Sequence, residues 1–192
     1  MDDPARSRPD RQEAILAAAI EILATEGLAG LSMRAVAKRA DVALGLVNYH
    51  FDDKASLITA ALRRFEAEDL ALVKPDENLD PHDQLCEVLR RVVDPTFLTT
   101  EYLSLRLQLW ALAQADEAFA DINARAQAEY RDGLARLITA AVPDVDIDEA
   151  RRRAADIDIV QNGIWLTALL RIDAESIARA AVRCEEIAFS DS

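Results

Sequence analysis

The chain has 192 residues, 51% of them apolar, with 35 acidic and 22 basic residues for a net charge of −13 and only two cysteines. That length bounds it to one or two domains with enough apolar side chains for a proper core. No apolar run reaches the ~20 residues that span a bilayer, and the polar start, Met1 to Arg6, is no signal peptide. Cys86 and Cys184 lie far apart and fit no metal or redox motif, so both read as small core residues of a reduced, cytoplasmic protein. Alanine, a strong helix former, is abundant, and no β-branched alternation lasts long enough for a strand. The class expected is all-α.

In chain order, residues 1–9 are polar, hold two prolines, and are expected to be a flexible tail. Its Arg6 and Arg8, with Arg11, also have the chemistry to reach a minor groove or a phosphate. Asp10 to Thr25 is a helix with Ile15, Ala18, Ala19, Ile22 and Leu23 on its buried stripe, stopped by Gly27. Ser32 caps a short helix whose Met33, Val36, Ala37 and Ala40 share one face. Asp41 tolerates the left-handed conformation that a turn needs. Val42 plugs the turn, and Leu44, Val47 and Phe51 give a second apolar face, with Gly45, Leu46, Asn48 and Tyr49 on the other side. Two short helices joined in this way form either a helix-turn-helix, whose second helix enters the major groove of DNA, or an ordinary αα-hairpin.

Asp53 caps a helix to about Leu72, and Lys74 to His82 is loop. Asp80-Pro81 opens a helix to Val93, broken by Asp94-Pro95. A helix over about 101–114 carries Leu103, Leu107 and Trp110 near one face. Asp116 caps the next, to Val142, with a stripe running from Phe119 through Ile122, Tyr130 and Leu134 to Ala141. Asp146 and Glu149 form a capping-box pattern that opens a long helix to Leu170. Asp173 caps the last, to about Phe189. The expected organisation is a three-helix domain over residues 1–54 and a larger helical domain over 55–192, about nine or ten helices in all.

Residues Leu31-Ser32-Met33-Arg34, Val36-Ala37, Ala40, Val42, Gly45, His50-Phe51 and Lys54 together resemble the DNA-binding domain of the TetR family of repressors. The family usually has Gly at position 41, Ser at 43 and Tyr at 48; here stand Asp41, Ala43 and Asn48. Ala43 cannot cap the second helix, leaving its first N–H groups for a partner such as a phosphate. Asn48 has the geometry for a bidentate pair with adenine. The resemblance implies DNA contacts by Ser32, Arg34, Ala43, Leu44, Gly45, Leu46, Asn48, Tyr49, His50 and Lys54, with Lys54 on a phosphate. It also implies a homodimer, paired through the helices over 116–142 and 147–170, on a palindromic operator. Gly133 and Gly163 would allow close helix approach.

The acidity is compatible with that reading. Residues 1–54 carry seven Lys and Arg against nine Asp and Glu, net −2, so most of the charge lies further along. Affinity for DNA depends on local cations, here Arg6, Arg8, Arg11, Arg34, Lys38, Arg39 and Lys54, while the acidic remainder discourages indiscriminate binding.

The C-terminal part resembles the effector domain of choline-responsive (Bet-type) repressors in Leu109-Trp110-Ala111-Leu112-Ala113 and Gly163-Ile164-Trp165-Leu166. Candidate pocket residues are Tyr102, Arg106, Trp110, Gln114, Phe119, Gln127, Tyr130 and Trp165. Tyr102, Trp110 and Tyr130 have the chemistry to cage a quaternary ammonium, and each is equally a plain core aromatic. No cofactor, metal site or catalytic residue is expected: the two histidines, His50 and His82, sit in no metal or nucleophile motif, and no Gly-rich phosphate loop is present. The function expected is a ligand-released DNA-binding repressor, with double-stranded DNA and a small-molecule effector as partners. The alternative is a helical ligand-binding or interaction module that has lost DNA binding.

Overall fold

The computed structural model describes residues 8–94, 97–171 and 173–190, with side chains from residue 11. The expected tail with Arg6, and the side chain of Arg8, lie outside the described residues. Among the described residues there are nine helices and no strand: α1 (Arg8–Gly30), α2 (Met33–Arg39), α3 (Leu44–His50), α4 (Lys54–Ala71), α5 (Pro81–Arg91), α6 (Thr100–Ala115), α7 (Glu117–Ala141), α8 (Ile147–Leu169) and α9 (Ala174–Ala188). None is long and apolar enough to cross a membrane.

The aspartates placed at helix starts act as caps. Asp80 accepts from Asp83 N at 3.0 Å, Asp116 from Ala118 N at 2.9 Å, Asp146 from Glu149 N at 2.8 Å and Asp173 from Glu175 N at 3.0 Å. Each supplies an acceptor to one of the first backbone N–H groups, which have no partner inside the helix. The carboxylate of Glu149 serves Arg152 and Arg153 instead of closing a capping box.

The chain packs as two compact units: residues up to Ala67 with Ser104–Ile122, and Glu68–Leu103 with Asn123 onward. The first stretch of the first unit runs past residue 54, where the sequence suggests a domain boundary, and into α4. That helix starts at Lys54, and Leu57, Ile58, Ala61, Leu62 and Phe65 are buried within the first unit. Apolar burial of about 1.5–3 kcal/mol per large side chain holds the stretch there.

In the first unit the predicted stripe of α1 is buried throughout, from Ile15 to Leu23, together with Leu31, Val36, Val47 and Phe51. Gly27 interrupts α1 without ending it. Its φ of 67° and ψ of −171° break the helical path, and one more turn follows to Gly30. Two leucines assigned to apolar faces are on the surface. Leu44 is 37% exposed because Val47 and Phe51 suffice to seat α3, and Leu107 is 44% exposed because α6 buries Leu105, Arg106, Leu109 and Leu112 on its opposite side.

In the second unit the core runs from Leu85 and Leu89 of α5 through Leu134 and Ile138 of α7 to Ala154 and Ile157 of α8. α8 and α9 lie antiparallel: Arg153, near the start of α8, donates through Nη1 to the carbonyl of Ala188 at the end of α9 (3.1 Å) and through Nε to Glu149 (2.9 Å). Arg153 is only 3% exposed, and these acceptors compensate the loss of its hydration. α5 and α9 are antiparallel as well, with Arg90 on Glu185 and the ring of His82 against Phe189 at 4.8 Å.

Both cysteines are buried and free. Burial, reinforced by Glu185, pushes the Cys184 thiol up to about 12 and also raises that of Cys86. Thiolate is the reacting species, so at pH 8 Cys184 in the folded protein is expected to alkylate at less than about a hundredth of its rate in urea. Iodoacetamide labelling with mass spectrometry checks this; rapid labelling of Cys184 in the folded state would mean the α9 core is open.

Candidate nucleic-acid interface

The surface in question is built by three local devices. Ser32 starts α2 by accepting from Ala35 N at 3.1 Å. At the other end of α2 the chain turns through a Schellman cap: Val42 N donates to Ala37 O (3.0 Å), Asp41 N approaches Lys38 O (3.4 Å), and Asp41 has φ 53°. Asp41 thus occupies the left-handed position usually given to Gly, which its short polar side chain tolerates at a modest cost. α3 then starts at Ala43, which offers no side-chain cap.

Val47 (fully buried) and Phe51 (5% exposed) fix α3 from below. Leu44, Gly45, Asn48 and Tyr49 remain outward, and Tyr49 is 63% exposed; Leu46 is half-buried. Positions 44 and 48, and 45 and 49, are four apart, so they form one outward face. A Cβ added to Gly45 would meet no atom within 4 Å, so that face is open above the glycine.

The cations around this face differ in their engagement. Arg34 and Lys38 of α2 are exposed and make no ion pair among the described residues. Arg39, expected to be available, is committed to α1: its guanidinium reaches Glu21 at 2.7 Å and Glu26 at 2.5 Å. Lys54 donates to the carbonyl of Leu28 at 3.0 Å, just past the break in α1, which offsets the dipole cost of a cation at the start of α4. Two of its three ammonium protons remain. Arg11 is half-buried and already has an intramolecular partner.

His50 departs from expectation. Its ring is edge-on to Tyr49 (5.3 Å) and tilted against Phe51 (6.3 Å), and Nε2 is buried with no hydrogen-bond partner among the described residues.

The candidate pocket residues divide between the two units. In the first, Gln114 is exposed, Phe119 is buried, and the buried guanidinium of Arg106 lies 5.6 Å from the ring centre of Phe65 and 5.9 Å from that of Trp110. One face of Trp110 is therefore already taken by the chain's own cation. In the second, the Tyr102 hydroxyl donates to Asp69, and Trp165 is 3% exposed with its indole N–H on the carbonyl of Val92 (3.4 Å). The Tyr130 hydroxyl donates to Gln161 Oε1 at 2.5 Å, linking α7 to α8. Gln127, with its amide nitrogen turned to the carboxylate, donates to the buried Asp158 at 3.1 and 3.2 Å; Arg131 joins the same carboxylate at 2.7 Å. Gln161, placed within the apolar stripe of α8, is fully buried, and its Nε2 has no partner among the described residues. A glutamine amid Ala154, Ile157 and Ile164 was the sequence signal for this polar cluster.

Of groups with metal-ligand chemistry, Asp80, His82 and Asp83 bring ligand atoms within 4.8 Å of one another. All three are exposed, Asp80 already caps α5, and His82 stacks on Phe189.

Comparison with known proteins agrees with this geometry. Residues 15–61 match the family described as bacterial regulatory proteins, tetR family, and residues 81–188 match the BetI-type transcriptional repressor C-terminal family. The chain is 25% identical over 179 residues to the HTH-type transcriptional regulator BetI of Stenotrophomonas maltophilia, covering 90% of each. It is 32% identical over 126 residues to an HTH-type regulator of Xanthobacter autotrophicus, covering 64% of this chain and 61% of that one. Among solved structures, a transcriptional regulator from Rhodococcus sp. aligns with TM-score 0.75 at 26% identity over 92% of this chain and 95% of that one. The multidrug binding protein EbrR, complexed with ethidium, aligns with TM-score 0.69 at 28% identity over 92% and 98%. The two family matches together take in most of the sequence, with the turn between α2 and α3 inside the first: the chain belongs to the TetR family of bacterial transcriptional regulators, and its C-terminal part is of the BetI type.

Proposed function

We propose that this regulator is a cytoplasmic repressor that binds a palindromic DNA operator as a homodimer and is released by a small molecule. The observation that carries the DNA-binding part is the outward face of α3, where Gly45, Asn48 and Tyr49 stand clear of the core beside the unpaired cations Arg34 and Lys38. A major groove admits one helix and offers hydrogen-bonding edges to such side chains.

Dimerisation is supported by exposed apolar residues. Ile159 (67% exposed), Gly163, Leu166 and Leu170 follow one another on α8 at spacings of four, three and four, and Val182 of α9 is 56% exposed. α7, the other helix expected to pair, exposes no large apolar side chain among the described residues, and a Cβ at Gly133 would lie 3.0 Å from Val73 of the same chain. The proposed pair is therefore α8 with α9, forming a four-helix bundle with their copies. A two-fold dimer of this kind presents recognition helices about 34–36 Å apart, one turn of DNA.

For the effector, the polar cluster of Tyr130 and Gln161 is the favoured site: a buried amide N–H without a partner suits a ligand acceptor group. The binding of ethidium by EbrR supports a ligand-responsive domain. Ligand binding that favours one DNA-spacing conformation by ~1–3 kcal/mol is enough to empty an operator.

Selection from random duplex DNA is expected to enrich a palindrome whose binding weakens steeply with salt. A variant with Arg34→Ala, Tyr49→Ala and Lys54→Ala should lose at least about tenfold in affinity and lower the salt slope by about two; an unchanged affinity in a folded variant would leave the chain as a helical module without DNA binding. Leu166→Glu with Leu170→Glu is expected to give monomers in sedimentation, because a charge buried without a partner is strongly penalised; an intact dimer would move the interface elsewhere. Because Arg106 already faces Trp110, calorimetry with choline or betaine aldehyde is expected to give no heat; a heat that disappears in Trp110→Ala would establish Trp110 as a cation site instead.

A further inference from the structure

We infer that each operator half-site contains a thymine whose 5-methyl group is read by Leu44, within two base pairs of an adenine read by Asn48. This rests on the DNA-binding reading and specifies its sequence preference.

Leu44 is the starting point. It is apolar and 37% exposed, whereas Val47 and Phe51 are buried and hold α3 from below. Gly45 beside it adds an independent constraint. A glycine is a poorer helix former than alanine, and no atom of the chain lies within 4 Å of where its Cβ would be. The chain's own packing does not require a residue without a side chain at this position. An outside surface that must come close to the backbone does. Leu44, Asn48 and Tyr49 flank this gap, and a base edge entering it meets Leu44 on one side and Asn48 on the other.

The chemistry of those two side chains then selects bases. Leucine offers neither donor nor acceptor, so against guanine or cytosine it would leave a groove-edge polar group unpaired. Thymine alone presents a methyl group in the major groove, and an aliphatic side chain packs on it. Asn48 pairs through both amide atoms with the N6 and N7 of adenine. Residues four apart on a helix have Cβ atoms about 5–6 Å apart, and base pairs rise about 3.4 Å, so the two bases are one or two steps apart.

The test uses the full-length protein and the operator obtained by selection. Each half-site thymine is replaced in turn by uracil, which removes the methyl group alone. One position per half-site is expected to lose about fourfold in affinity, the equivalent of one buried methyl-sized group. Leu44→Ser, on the protein surface, should fold as the parent does by circular dichroism. It should bind the thymine and uracil operators equally. The inference is overturned if no uracil position weakens the parent protein, if Leu44→Ser shows the same losses, or if selected half-sites lack a second fixed A·T pair one or two steps from the pair that holds the fixed adenine. Should the parent bind no duplex at all, the DNA-binding reading itself fails and takes this preference with it; binding without methyl sensitivity removes the preference alone.

Discussion

The DNA-binding unit depends on one backbone event, the left-handed residue at position 41. The path from α2 to α3 is set by the cap in which Val42 N returns to Ala37 O, and that cap closes only if Asp41 takes a positive φ. From there Val47 and Phe51 are buried, as Val36 and Ile15 are, and Asn48 and Tyr49 are left on the outside. A residue unable to hold φ 53° would move the whole of α3, since a seven-residue helix has too few contacts of its own to correct the error.

Electrostatics sort the same unit into scaffold and surface. Arg39 is spent on Glu21 and Glu26, which strap α2 to α1, and the charge of Lys54 is steadied by a backbone carbonyl. These exposed pairs contribute little each, on the order of 0–1 kcal/mol, but they fix which cations stay available. Arg34 and Lys38 are exposed and make no ion pair among the described residues, and a net charge of −13 makes such local cations stand out.

Much of the fold was legible because its signals are local. Helix caps at Asp80, Asp116, Asp146 and Asp173, the stripe of α1 and the tight turn at Asp41 follow from a few neighbouring residues. What was not legible depends on partners far away in sequence. Periodicity alone could not say that Leu44 and Leu107 stay outside, because each sits beside a face already filled. Nor could it say that Arg39 would be claimed by Glu21 and Glu26, that His50 would turn Nε2 inward, or that α4 would pack with the helices before it. Periodicity could not say either that Tyr130 would meet Gln161, or Arg131 the buried Asp158, since each pair joins two helices far apart in sequence.

The open space around Gly45 has a consequence for how such a protein changes over time. Residues that hold α3 in place and residues that face outward are different residues, with Val47 and Phe51 on one side and positions 44, 45, 48 and 49 on the other. Substitutions on the outer set leave the folding free energy nearly untouched, as surface changes away from special backbone positions generally do. A duplicated copy of this gene could therefore vary this outer set by single steps, each one yielding a folded protein, without passing through unstable intermediates.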